Sequence, residues 1–157
     1  MATLEQLESG GQISRHDAEL ETWELSKRMI SFTSNFGKWL SQLKSAPKKR
    51  GRTLTPFEEI NQSFFAFVMG KPMAFGVDYR KLEPHGNHVW EFKTLEMRVF
   101  GWFPRKAHFL AVCGEFKDNL PNNKAYKPFI EQVIKFREAL ALDEPKAILG
   151  VGKDAVL

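Results

Sequence analysis

His88-Val-Trp-Glu-Phe-Lys93, Met97-Arg-Val-Phe-Gly-Trp-Phe103 and Ala107-His-Phe-Leu-Ala-Val-Cys-Gly-Glu-Phe-Lys117 are the runs on which the fold turns. Each is short and rich in aromatic and β-branched residues, the composition that suits a pleated and half-buried strand. In the first run Trp90 and Phe92 share one face, while Val89, Glu91 and Lys93 share the other. Thr94-Leu-Glu96 and Pro104-Arg-Lys106 separate the runs. Connections this short join neighbouring antiparallel strands, so the three runs predict a meander.

Helical patterns flank the meander. Phe32, Phe36, Trp39, Leu40 and Leu43 fall on one face of a helix, within a helical pattern that opens near Ala18. Residues 21–27 also alternate weakly through Trp23 and Leu25, which leaves a first strand open there. Pro47 and Gly51 break the pattern into a basic loop. A second helix is expected from Thr55, the N-cap, with Pro56 in the first turn and Glu58 and Glu59 complementing the positive helix end. Its apolar face is Phe57, Ile60, Phe64, Phe67 and Val68, and it stops before Gly70. Residues 71–87 read as a connection, and a final helix runs from about Ala125 to Leu142 with Phe129, Ile130, Val133, Phe136 and Leu140 inward. The expected fold is therefore α+β: a small antiparallel sheet with N-terminal helices and a C-terminal helix, the helices on one sheet face.

The 157 residues are the size of one domain, and 43% hydrophobic content with 14 Phe supports a packed core rather than a disordered chain. A single cysteine, Cys113, allows no internal disulfide and no multi-thiolate zinc or iron–sulfur site. It lies in an apolar strand and reads as a buried inert thiol. Absence of a long apolar run, of a secretory leader and of paired cysteines leads to the expectation of a cytoplasmic protein with no membrane partner. Net charge is +4, but residues 44–106 hold 12 Lys and Arg against six acids, a basic middle that suits a polyanion. No cofactor is expected. A metal site from His85 and His88 is the weaker reading of that pair, the stronger being two loop histidines.

Arg98 is the most informative residue, because it interrupts an apolar strand and shares a face with Phe100 and Trp102. A guanidinium among aromatic rings can grip a phosphate bidentately while bases stack beside it. The alternative is an ion pair with Glu91 or Glu115 on a neighbouring strand. Lys93, Arg105, Lys106 and Lys117 stand near strand ends, where a concave sheet would gather them around Arg98. Lys48-Lys-Arg-Gly-Arg52 either grips a nucleic-acid backbone or is a solvated loop.

Residues 79–140 resemble the RelE/ParE toxin superfamily, and within it the phage-derived HigB-like branch. The likeness rests on Val89-Trp-Glu-Phe-Lys93, Met97-Arg-Val-Phe100, Leu110-Ala-Val-Cys-Gly-Glu-Phe-Lys117 and the helix ending Phe136-Arg-Glu-Ala-Leu140. The resemblance implies a RelE-like fold and a toxin of a type II toxin–antitoxin pair. Its activity would be metal-independent endoribonucleolytic cleavage of mRNA, on the ribosome in many relatives, with a cognate antitoxin as partner. It implies Arg98, Lys117 and Lys93 as catalytic residues, and Arg105, Lys106, Phe116, Trp102 and His108 as RNA-binding ones. Met97 stands where the family carries a tyrosine, and the lysine doublet after Phe116 is reduced to Lys117-Asp118. Those departures keep two other readings open, a non-catalytic phage or prophage interaction module and a ParE-like gyrase inhibitor. The implied organisation is a flexible lead-in over 1–17, one RelE/HigB-like domain over 18–142, and a tail over 143–157.

Overall fold

The computed structural model describes residues 1–21, 24–84, 87–150 and 153–157. The expected meander is present as β4 (Trp90–Lys93), β5 (Met97–Arg105) and β6 (His108–Phe116), paired antiparallel in that order. It is the centre of a larger, mixed sheet. β1 (Ser14–Arg15), β2 (Met29–Phe32) and β3 (Tyr79–Lys81) complete six strands in the order β1-β2-β6-β5-β4-β3. β2 runs parallel to β6, with Met29 opposite His108 and Phe32 opposite Ala111. The architecture is α+β.

Phe32 marks where helical spacing misleads. It sits at the right interval before Phe36, yet it is the last residue of β2, and helix α2 (Ser34–Leu43) starts only after Thr33. The Thr33 hydroxyl accepts the Phe36 N–H at 3.1 Å and so sets the boundary. No helix precedes β2 among the described residues of 18–28. Trp23, the centre of the alternative strand over 21–27, lies outside the described residues, and so does His85 of the His85–His88 pair. Helix α3 (Pro56–Val68) opens as its sequence demands: Thr55 and Glu58 form a reciprocal capping box, with Pro56 in the first turn. Ile60, Phe64, Phe67 and Val68 are buried on its inner face.

The helices divide between both sheet faces, which corrects the one-sided arrangement expected. α2 and α3 cover a core of Ile30, Trp90, Phe92, Val99, Phe103 and Phe109. The opposite face carries a second core, Val89, Phe100, Trp102, Leu110 and Val112, beneath α1 (Leu4–Ser9) and α4 (Asn123–Ala139). Near-continuous burial along β5 and β6 is the reason, since strands with two covered faces lose the polar alternation of a one-sided sheet. β5 shifts register between Phe100 and Gly101, and a Cβ at Gly101 would stand 2.0 Å from the Leu110 carbonyl oxygen, so only glycine fits there.

Residues 1–17 supply α1 and β1 and bury Leu4, Leu7 and Ile13, rather than trailing as a loose lead-in. Residues beyond 142 also pack. Ala147 and Val156 are buried, and the Ala107 N–H donates to the Val156 carbonyl at 2.7 Å from the side of α5 (Lys153–Val156). Among the described residues no helix is long and apolar enough to cross a membrane.

Candidate functional site

Arg80, Glu91, Lys93 and Arg98 are brought together by strand register alone. Arg80 pairs with Glu91 across β3 and β4, and Lys93 pairs with Arg98 across β4 and β5. Because side chains alternate, all four point to the face covered by α4. Glu91 is fully buried. One of its oxygens, Oε1, accepts from Arg80 Nε at 2.5 Å and lies 3.9 Å from Lys93 Nζ. The other, Oε2, lies 3.9 Å from Arg98 Nε, and both atoms of that last pair are buried without a hydrogen-bond partner. Three cations thus surround one carboxylate, a local excess of positive charge in a partly dry site.

The cations are held rather than loose. Arg98 Nη1 donates to the Thr94 and Met97 carbonyls, each at 2.9 Å, and its side chain is 17% exposed. Lys93 Nζ donates to the Gly76 carbonyl at 2.9 Å. Burial, together with Arg80 and Arg98, lowers the Lys93 pKa against the opposing pull of Glu91. α4 brings Tyr126 to this cluster, its ring edge-on to Phe100 at 5.6 Å. Burial first and then Glu91 raise the Tyr126 pKa, against the opposing effects of Arg98 and Arg80, so the phenol keeps its proton at neutral pH. Beside it a cavity of about 320 Å³ is lined by Arg80, Glu83, Asn123 and Tyr126 among others. Two larger cavities, about 810 and 790 Å³, both include Arg15, His16 and Asp17 and contain none of the Arg98 cluster.

The residues singled out from sequence fall into separate places. Arg98 and Lys93 are together, and Arg98 has Glu91 beside it as well as Glu115 in register, which is the ion-pair arrangement expected as the alternative. Lys117 is exposed at the same end of the sheet, where its N–H donates to the Glu96 carbonyl at 2.8 Å. Arg105 and Lys106 lie at the far end of β5, about 20 Å away by strand rise. Arg105 pairs there with Glu5 at 2.7 Å, and Lys106 is exposed in the hairpin turn. Phe116 packs against the α2/α3 side, under Lys49 Nζ at 5.4 Å, and so faces away from Arg98.

Trp102 is fully buried, its indole N–H donating to the Lys146 carbonyl at 2.7 Å, which leaves no ring face for an RNA base. His108 is also buried, with Nε2 2.8 Å from the Ser31 hydroxyl, and cannot touch RNA. In the basic loop, Arg52 pairs with Glu96 at 3.1 Å, and Lys49 pairs with Asp118 at 3.4 Å. Cys113 is buried and its thiol is pushed up to about 12, as an inert thiol should be.

Sequence reasoning missed Arg80, Glu91 as the hub, and Tyr126. Tyr79-Arg-Lys81 alternates like a strand but was too short to separate from the connection around it. Tyr126 stands seven residues before Val133 on the inward stripe of α4, a signal present in the spacing. Among the described residues no three His, Cys, Asp or Glu side chains converge on a metal position. Comparisons with protein-family models, with curated proteins and with solved structures find no match to this chain.

Proposed function

We propose that the chain is an RNA-cleaving toxin of the toxin–antitoxin kind, with the cluster around Glu91 as its phosphodiester site. The observation that carries this reading is the convergence of Arg80, Lys93, Arg98 and Tyr126 on one buried carboxylate beside an open cavity. The resemblance of residues 79–140 to RelE and HigB-like proteins supplies the substrate class. In the reaction the ribose 2′-hydroxyl attacks the adjacent phosphorus, forming the P–O2′ bond, and its proton leaves to solvent. The P–O5′ bond breaks, giving a 2′,3′-cyclic phosphate and a 5′-hydroxyl. Arg98 and Lys93 stabilise the charge that grows on the phosphoryl oxygens, the kind of contribution worth about 3 kcal/mol for one well-placed donor. Tyr126, still protonated, supplies the proton of the departing 5′ oxygen. The same reading entails a cytoplasmic protein, a cognate antitoxin as partner, and mRNA as substrate, free or on the ribosome.

A second reading is favoured by one specific observation. Arg98 already donates to two backbone carbonyls, and Glu91 already neutralises part of the cluster, as in a scaffold kept for protein contacts without catalysis. Inducible expression in bacteria separates the two. Wild type is expected to arrest growth and create new message ends, and Arg98→Ala to lose at least about 100-fold of the cleavage while staying folded. Normal growth and intact message with soluble, folded wild type would overturn the toxin reading in favour of the interaction module.

A further inference from the structure

The basic loop between α2 and α3 is fixed to one end of the sheet. Glu96, a buried carboxylate in the turn between β4 and β5, accepts from Arg52 Nε at 3.1 Å and lies 3.9 Å from Lys49 Nζ. Lys49 also reaches Asp118 at 3.4 Å and stands over the Phe116 ring at 5.4 Å. Between these two anchors the chain makes a closed turn. The Arg52 N–H donates to the Lys49 carbonyl at 3.0 Å, and Gly51 takes the left-handed φ of +80° that suits the third position of such a turn. Arg50 is the second residue of the turn and is exposed at its tip.

Lys48, Arg50 and Lys117 are exposed, and none of them makes an ion pair among the described residues. The nearby acids Glu59 and Glu115 accept the Glu96 and Phe116 N–H groups instead, at 3.1 and 2.7 Å. Lys117 links the loop to the Glu91 cluster. Its N–H donates to the Glu96 carbonyl at 2.8 Å, and Glu96 precedes Arg98 by two residues, so the Lys117 and Arg98 backbones lie within about 10 Å. The cluster is on the α4 face and the loop on the α2/α3 face, while Lys117, just past the end of β6, occupies the rim that joins them. A loop that is merely solvated needs no anchors. This one uses two cations to hold its place and presents the others without a counter-charge, a self-repelling arrangement that a polyanion relieves. We infer that Lys48, Arg50 and Lys117 form a phosphate track for the RNA that flanks the cleaved bond, leading it from Arg98 around the end of the sheet onto the loop. The inference rests on the RNA reading above and adds the path of the strand beyond the reacting phosphate. Cations grip the backbone of any sequence, so the track contributes affinity and salt dependence without reading bases.

Fluorescence anisotropy tests this on the full chain, with a 2′-O-methyl RNA of about 18 nucleotides, long enough to span both places and lacking the nucleophile. The double variant Lys48→Ala/Arg50→Ala is expected to bind roughly 10- to 30-fold more weakly at about 0.1 M salt, with a salt slope shallower by about 1.4, at about 0.7 per phosphate contact. Lys48→Arg/Arg50→Lys keeps the charges and should keep wild-type binding. Lys27→Ala/Lys135→Ala removes the same charge from exposed positions toward the opposite end of the sheet, and should also bind as wild type. Equal losses from the two alanine pairs would show a diffuse charge effect and overturn the track. Unchanged binding in Lys48→Ala/Arg50→Ala, with Arg98→Ala weakened, would overturn it as well and leave the RNA reading standing. Displacement of the probe by poly-glutamate as readily as by unlabelled RNA would assign the surface to an acidic protein and overturn the track. Failure of folded wild type to bind RNA at all would remove both readings.

Discussion

His108 shows how one buried side chain couples this fold to pH. Its Nε2 is satisfied by Ser31, its Nδ1 has no hydrogen-bond partner, and its ring is sealed under the α1 face. Burial above all, then Arg105 and Arg15, push its pKa down from 6.5 to about 4, with Glu5 opposing. The unfolded chain therefore binds a proton between these values that the folded chain refuses. The stabilisation is complete above about pH 6.5 and is lost as pH falls toward 4, at most about 3 kcal/mol from this group. His16 and His88 are lowered as well, burial being the largest cause in each, and act in the same direction. Urea midpoints measured from pH 7.5 down to pH 4 should fall steeply for wild type and less steeply for His108→Gln. Equal slopes in the two proteins would show that His108 is free to protonate in the fold.

At the scale of elements, the contact of α2 with β6 depends on a glycine. A Cβ on Gly114 would stand 2.4 Å from the Trp39 ring, so the indole lies directly on the strand backbone. Gly114→Ala must push α2 outward or force Trp39 off its rotamer, at a cost of about 2 kcal/mol. Pairing it with Trp39→Leu should recover part of that loss, and a double-mutant cycle by urea denaturation measures the coupling. Strict additivity would mean that the two residues do not meet. The same contact explains why β6 reads so cleanly as a strand while Trp39 gives no hint of its partner. The periodicity of α2 shows which side is apolar, but not which strand that side meets.

Over the whole molecule, the second core changes what the chain termini do. Leu7, on the inner side of α1, is only 2% exposed, and the Ala2 N–H donates to the Ala141 carbonyl at 2.7 Å, tying the start of the chain to the segment just after α4. Leu7→Ala should cost about 3 kcal/mol, as for any large-to-small change in a packed core, and thermal or urea unfolding will show it. A loose lead-in would leave the unfolding midpoint unchanged. Two covered faces also accommodate the Phe content: Phe36, Phe64, Phe67, Phe92, Phe103 and Phe109 fill one core, and Phe100 the other, with Phe129 and Phe136 packed against it.

The meander, the N-cap at Thr55, the end of α3 before Gly70 and the inward stripe of α4 were all legible in the sequence, because local spacing and cap chemistry act over a few residues. Arg98 and Lys93 were legible as neighbours for the same reason, both lying within one hairpin. The strand at Met29–Phe32 was not, since its partner His108–Ala111 lies more than 70 residues away and the pairing is parallel. Nor was the burial of Trp102 and His108, whose neighbours Lys146 and Ser31 are distant in the chain. The sequence by itself determined the α+β class and the polarity of each element. Only tertiary structure decided which faces were covered and which cations met Glu91, because those depend on long-range pairing that no local pattern encodes.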